Sequence, residues 1–406
     1  MKYTIGELAE IIDGDRGKNY PQQHEFLDEG YCLFLNTGNV TTSGFSFDSN
    51  QYISKEKCDL LRKGKLQRRD IVYTTRGTVG NAAFYSDNVP YDHIRINSGM
   101  VILRPKEDVV CTEFLYQILK SNYYRPYFKQ YCTGSAQPQL PIKNFSTIEL
   151  EMPDLVTQKR IANILSAYDD LIENNQKQIK LLEEAAQRLY KEWFVDLRFP
   201  GHEDVAIIDG VPEEWKKQKI SEFGDIITGK TPSTNKEQYY GGSIPFVKIP
   251  DMHGCVYPIT TETFLTAEGA NTQRNKFIPK NGIMVSCIAT VGLVNIAIEP
   301  CQTNQQINSI ILNNEQDLYY VYFTMKRLKT LLEGVGSNGA TMTNVNKTKF
   351  GNLEVLYPTE ELCKSYFDFC DPIFKRIYSL SVSNNKLVQA RDRLLPKLMS
   401  GELEVL

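Results

Sequence analysis

One stretch of the chain has the letters of a phosphate-binding loop. Gly224-Asp-Ile-Ile-Thr-Gly-Lys-Thr231 fits GxxxxGK[ST], in which backbone N–H groups and a lysine cradle the phosphates of a nucleotide. That chemistry needs a buried strand before the loop and a helix opening at the Lys-Thr. Neither is expected here: the preceding WKKQKISEF is largely polar, and Pro232 followed by STNKEQYYGG reads as loop. Residues fit for metal or nucleophilic chemistry are scattered too. The nine cysteines form no CxxC pair and read as reduced, mostly buried thiols. His24, His93, His202 and His253 lack ligand spacing, and no HExxH, GxSxG or Asn-Pro-Pro-aromatic run occurs. The expectation is a chain without a catalytic or metal site. A stand-alone nuclease, or an ATPase built on Lys230, is the competing reading.

Other polar residues suit recognition. A basic run, Lys55, Lys57, Arg62, Lys63, Lys65, Arg68 and Arg69, precedes Arg76 in a glycine turn. A second loop carries Ser135, Gln137 and Gln139 with Lys143, and a third carries Asn338, Thr341, Thr343 and Asn344 with Lys347 and Lys349. Lys248, in IPFVKIPDM, completes the set. Lysine and arginine neutralise phosphates, and Gln and Asn amides offer adenine a matched donor and acceptor. These residues are the candidate DNA contacts; the plainer reading of each is a solvated loop of turn formers. The net charge is −3, unevenly spread: residues 216–356 hold 14 basic against 11 acidic side chains, whereas 151–215 hold 7 against 14. Mildly basic lobes around an acidic connector fit a nucleic-acid binder.

The elements that carry these loops occur twice. T4-IGELAEIIDG answers to I220-SEFGDIITGK, and LFLNTGNV from Leu33 to IPFVKIPDM from Ile244. DIVYTTRGTVG (Asp70 to Gly80) lines up with GIMVSCIATVG (Gly282 to Gly292), and RINSGMVIL (from Arg95) with QINSIIL (from Gln306). Further on, the Gly134 and Gly339 loops match, with Phe145 and Phe350 in register. A period of about 205 residues is too long for a solenoid and marks a duplicated domain. Within each copy, IVYTT from Ile71, MVILRP from Met100, IMVSCIATVG from Ile283 and INSIIL read as strands. Stretches from Thr112 and Leu318 read as helices, so the fold class is a mixed α/β lobe, present twice.

Each copy then runs into a long helix. Ile161, Leu165, Tyr168, Ile172, Asn175, Ile179, Leu182, Ala186, Leu189 and Trp193 step by four and three, the seam of a coiled coil. Tyr366, Cys370, Ile373, Ile377, Leu380, Asn384, Leu387, Arg391, Leu394 and Leu398 repeat the spacing. Pro372 interrupts the second ladder, so the regular helix is expected to begin near it, and Pro396 to kink or end it. One asparagine lies near the middle of each seam. With the second helix reversed, Asn175 faces Asn384, Ile161 lies near Leu398 and Trp193 near Tyr366, which predicts an antiparallel pair. At about 1.5 Å per residue it spans roughly 50 Å, and lobes at its ends would stand about one to one and a half turns of B-DNA apart. The paired carboxylates Asp169-Asp170 and Glu183-Glu184 read as its solvated face. Two separate helices, each packing on its own lobe, are the plainer alternative, and a coiled-coil scaffold without a DNA role is a further competing reading of the chain.

The whole chain resembles the specificity subunit of type I restriction–modification enzymes. Gln158 to Gly201 is similar to that family's central conserved region, and RDRLLPKLMSGELEV from Arg391 to its distal one. GKTPS (Gly229 to Ser233) and GGSIPFVKIPDM (Gly241 to Met252) resemble the opening of its target recognition domains, although the first copy has GDRGKNY instead. The resemblance implies target recognition domains at 1–153 and 216–358, long helices at 154–199 and 359–406, and a linker at 200–215. It implies a non-catalytic reader of double-stranded DNA with a bipartite site, bound to two methyltransferase (modification) subunits and, through them, to restriction (motor and nuclease) subunits. S-adenosylmethionine, ATP and Mg2+ would belong to those partners, with no cofactor on this chain. Neutralising Glu183, Glu184 and Glu192 would then weaken assembly. No apolar run approaches 18 residues and no signal-like segment opens the chain, so no membrane role and a cytoplasmic location are expected.

Overall fold

The computed structural model describes residues 1–134, 137–288, 290–328 and 345–404. The chain divides into two compact units, Met1–Ile172 with Leu387–Leu406, and Glu173–Lys386.

In the first unit a four-stranded sheet is built from β1 (Ala9–Asp13), β2 (Ile71–Thr74), β3 (Ala82–Phe84) and β4 (Met100–Pro105), in the order β1-β4-β2-β3. All neighbours are antiparallel. Side chains alternate across the pleat. Ile71 and Tyr73 point into a core with Phe114 and Phe145, while Val72 joins Leu33, Ile94 and Ile102 on the other face. Tyr73 and Phe145 stack with ring centroids 4.8 Å apart. A short parallel pair, Cys32–Leu35 with Ile94–Ile96, flanks the sheet, and α1 (Thr112–Lys120) covers it.

The second unit repeats this plan with β5 (Gly224–Thr228), β6 (Ile283–Ser286), β7 (Val294–Ile296) and β8 (Ile307–Leu312), in the order β5-β8-β6-β7. Ile283 and Val285 face one core and Met284 the other. The strand registers correct one detail of the sequence alignment. Met100 pairs with Thr74, and Ile307 with Ser286, so Met100 answers to Ile307. The shared letters Ile-Asn-Ser are therefore out of step: in the first copy they precede β4, and in the second they lie inside β8.

The long helices are α2 (Leu155–Phe194) and α4 (Glu360–Met399), with α3 (Leu318–Lys326) the counterpart of α1. The α2 sequence contains neither Gly nor Pro, and Asp154 accepts from the backbone N–H groups of Val156 and Thr157 at its start. Gly401, at φ 74, follows the end of α4. Contrary to expectation, Pro372 and Pro396 neither start nor stop α4. Pro372 and Asp368, whose carbonyl loses its helical donor, both lie on the exposed face, so the freed carbonyl is open to solvent rather than buried.

The helices run antiparallel within each unit. In the first, Ile161 and Leu165 of α2 share a core with Leu395 and Leu398 of α4. In the second, the Asn175 amide donates to the Asn384 Oδ1 at 2.8 Å. Further along, the Tyr366 hydroxyl donates to the Ala186 carbonyl at 2.9 Å, and the Trp193 and Tyr366 rings lie 6.0 Å apart. Tyr168, Ile179, Leu182, Leu189, Leu387 and Leu394 are half-buried, and Ile172, Ile377 and Leu380 buried.

Two carboxylates read as solvated are not. Asp169 accepts from Lys120 Nζ at 2.5 Å and Arg391 Nη1 at 2.8 Å, and the lysine and arginine side chains are only 7% and 12% exposed. Gln117 also donates to Asp169; Asp392 binds Arg391 at 2.9 Å and accepts from Asn122 at 2.8 Å. Burial pulls the Lys120 ammonium down to about 8 against the pull of Asp169. Glu183 accepts from the Tyr322 hydroxyl at 2.8 Å and pairs with Lys326. Glu192 is held by Arg198 at 2.6 Å. Glu183 therefore serves the fold of the second unit, and Asp170 is exposed beside the half-buried Asp169.

Candidate nucleic-acid interface

In the first unit the polar loops meet at one edge of the sheet. Gly14, after β1, runs so close to residue 97 that a Cβ there would lie 2.3 Å from the Asn97 carbonyl oxygen. Only glycine fits this crossing. The turn presents Arg16, 46% exposed, which bonds Asp13 at 3.1 Å and reaches the Ser98 carbonyl at 3.4 Å. Gly64 packs on Gly14 and Ile96, leaving Lys63 and Lys65 exposed beside it. Buried Arg95 holds that segment, donating to the Lys63 carbonyl at 2.7 Å and the Leu61 carbonyl at 3.0 Å. After β2, the N–H groups of Thr75 and Arg76 donate to the Gly99 carbonyl, at 2.9 and 3.1 Å. Arg76 also bridges strand-wise to Gln139, and Thr133 and Gln139 exchange two backbone bonds that close a loop with Gln137 exposed at its tip. Lys143 is exposed on the short helix Ile142–Ser146. Ser135 lies outside the described residues.

Arg68 and Arg69 belong elsewhere. Arg68 donates to the carbonyls of Ser86, Val89 and Tyr91 and to Asp92, with its guanidinium 4.3 Å from the Tyr85 ring centroid. Arg69 lies between Glu107, at 2.5 Å, and Glu113, at 2.9 Å. Both guanidinium groups are thus already bonded to the protein's own carbonyls and carboxylates. A basic run in sequence cannot reveal this, because the acidic partners come from distant segments.

The second unit builds the same edge from different side chains. A Cβ on Gly229 would lie 2.2 Å from the Asn304 carbonyl oxygen, so Gly229 is the counterpart of Gly14. The glycine of the apparent phosphate loop serves this crossing. The Lys230 N–H donates to the Thr303 carbonyl at 2.9 Å, and no helix opens at Lys230-Thr231. The turn presents exposed Lys230 and half-buried Thr231, whose hydroxyl donates to Gln305 Oε1 at 2.8 Å. The Cys287 N–H donates to the Gln306 carbonyl and the Val345 N–H to the Cys287 carbonyl, both at 2.8 Å, as Thr75 and Leu140 do in the first unit. Lys347 and Lys349 are exposed on the helix Lys347–Gly351, which Asn346 caps. Lys248 is half-buried, 3.9 Å from Glu262. Asn338, Thr341, Thr343 and Asn344 lie outside the described residues.

A model of the type I restriction modification DNA specificity domain matches the chain twice, over residues 1–184 and 212–387. The chain belongs to this family. It is 31% identical to the specificity subunit of the type I restriction enzyme HindI from Haemophilus influenzae, over 98% of this chain and 100% of that one. It is 26% identical to the MjaIX specificity subunit of Methanocaldococcus jannaschii, over 82% of this chain and 78% of that one. Its fold is similar to that of a type I restriction–modification S subunit from M. genitalium, with a TM-score of 0.52 and 16% identity over 98% and 95% of the two chains. As a specificity subunit the chain serves DNA-sequence specificity, and catalysis resides in other subunits. Among the described residues, no cluster of His, Cys, Asp and Glu could hold a metal ion, and no helix is long and apolar enough to cross a membrane.

The sequence did not single out Arg16 with Ser98, nor Thr231 with Gln305. The available signal was the repeated turn itself, IIDGDR against IITGKT. Arg95 was also missed; it sits inside a strand and positions Lys63 and Lys65 through their backbone.

Proposed function

We propose that the two lobes, residues 1–153 and 216–358, each read one half of a bipartite double-stranded DNA site, with the long helices setting the gap. The observation that supports this most is the repeated edge. Both units hold the same glycine crossing and the same backbone bonds, yet present Arg16, Arg76, Gln137 and Gln139 in one and Lys230, Thr231 and Gln305 in the other. One scaffold with two sets of tips suits two unlike short sequences. Lys63, Lys65, Lys143, Lys347 and Lys349 are assigned to phosphates, with Ser135, Asn338, Thr341, Thr343 and Asn344 as further contacts from the same loops. Lys248, already near a carboxylate, is the weakest member of the set. The chain works in the cytoplasm with two methyltransferase subunits docked on it and restriction subunits joined through them. S-adenosylmethionine, ATP and Mg2+ act on those partners.

Hydroxyl-radical footprinting of the complex with its methyltransferase subunits tests the reading. Two protected segments separated by an accessible gap on one duplex are expected, and the footprint should weaken steeply with salt. One short continuous footprint would contradict the two-reader account.

A further inference from the structure

The two forty-residue helices carry the same seam spacing, so a second copy of α2 is a natural competitor for α4. Competition is acute during synthesis. Residues 1–153 and α2 leave the ribosome before α4 exists, and neighbouring nascent chains expose the same bare seam. The side chains at matched positions differ in a way that bears on this choice. Aligned start to start, α2 has Ile179 where α4 has Asn384, and Ala186 where α4 has Arg391. A copy of α2 docked in the observed antiparallel register would set Asn175 against Ile179 and Asp169 against Ala186. Asp169 would keep Lys120 but lose Arg391, its second cation, in surroundings where the three side chains are 22%, 7% and 12% exposed. By symmetry the loss would occur twice. Two copies of α4 fare no better: Asn384 would meet Leu380, and Arg391 would meet Phe374.

We propose that the buried charges Lys120, Asp169 and Arg391, together with the Asn175–Asn384 pair, are a pairing discriminator that makes α2 accept α4 and reject a second copy of this chain. Buried ion pairs contribute little net stability compared with apolar residues of like volume, but removing one partner from such a cluster is costly. That asymmetry favours one partner by penalising the other. The second unit supports the assignment. At the positions corresponding to Asp169 and Arg391 it has Phe374 and Ala186, packed in an aromatic cluster with Tyr190, Phe323 and Tyr366. The same geometry thus closes without charge, so the ions in the first unit are not needed to fill the site. The inference does not depend on what the lobes bind.

Coexpression of two differently tagged full-length copies tests it, with capture on one tag and quantification of the other. The wild-type chain should carry over only background. In Lys120→Met/Asp169→Leu/Arg391→Leu, which replaces the ions with apolar groups, carry-over of the second copy should rise at least about tenfold while circular dichroism and cooperative melting are retained. Asp169→Asn/Arg391→Gln, which keeps shape and removes charge, should raise it less. If either variant folds like the wild type and captures no more of the second copy, the proposal is overturned. Failure of both variants to fold would overturn it as well, since the charges would then hold the pair together rather than select it.

Discussion

Replacing Gln137 and Gln139 by alanine should change the DNA sequence that the assembled enzyme methylates, and change it in one half of the target only. The two amides lie on a loop closed by the Thr133–Gln139 bonds and tied to Arg76, so their removal alters the tip without touching the core. Each lost base contact is worth about 1–3 kcal/mol, roughly 5- to 150-fold in discrimination at the position it reads. Lys143→Ala, on the neighbouring short helix, is the informative contrast. A phosphate contact weakens binding to every sequence alike, so its loss should lower methylation without relaxing a position. Sequencing of methylated adenines in cells coexpressing each variant with the partner subunits distinguishes these outcomes. Relaxation in both halves, or in neither, would count against reading by separate lobes.

Asp169→Ala should destabilise the first unit by about 3–5 kcal/mol, because it strips Lys120 of its carboxylate and leaves Arg391 with Asp392 alone. Lys120 and Arg391 both bond Asp169 directly, and neither side chain is more than 12% exposed. The neighbouring Asp170→Ala is the control: that side chain is exposed, and surface changes of this kind stay within about 0.5 kcal/mol. Denaturant unfolding of both variants, followed by far-ultraviolet circular dichroism, gives the comparison. Equal midpoints would show that the ions around Asp169 are not held as described.

Much of the architecture is legible in the sequence, because its signals are local and periodic. The strands at Met100–Pro105 and Ile307–Leu312 coincide with their apolar runs, and the four-three spacing around Asn175 and Asn384 marks two helices with compatible seams. What escapes is what depends on distant partners. Asp169 and Asp170 are adjacent and identical in type, yet one is half-buried and bonded to Lys120 and Arg391 from other elements, while the other is exposed. Arg68 and Arg69 look like part of a basic strip until the 86–92 turn, Glu107 and Glu113 claim them. Pro372 looks like a helix boundary because its cost is read from the lost hydrogen bond, whereas on an exposed face the freed carbonyl is open to solvent. The letters Ile-Asn-Ser mislead for a related reason: identity of three residues is weaker than the pairing of Met100 with Thr74 and Ile307 with Ser286. For the candidate interface, the basic and amide-bearing loops are visible, but the glycine crossings at Gly14 and Gly229 that position Arg16 and Thr231 emerge only from the backbone approach.

The most direct test of the central claim is a map of methylated adenines in a host that carries the methyltransferase subunits with and without this chain. The account predicts a single gapped motif with two unlike halves, present only when the chain is supplied. A motif that is unchanged when the chain is omitted, or methylation confined to one short ungapped sequence, would contradict it.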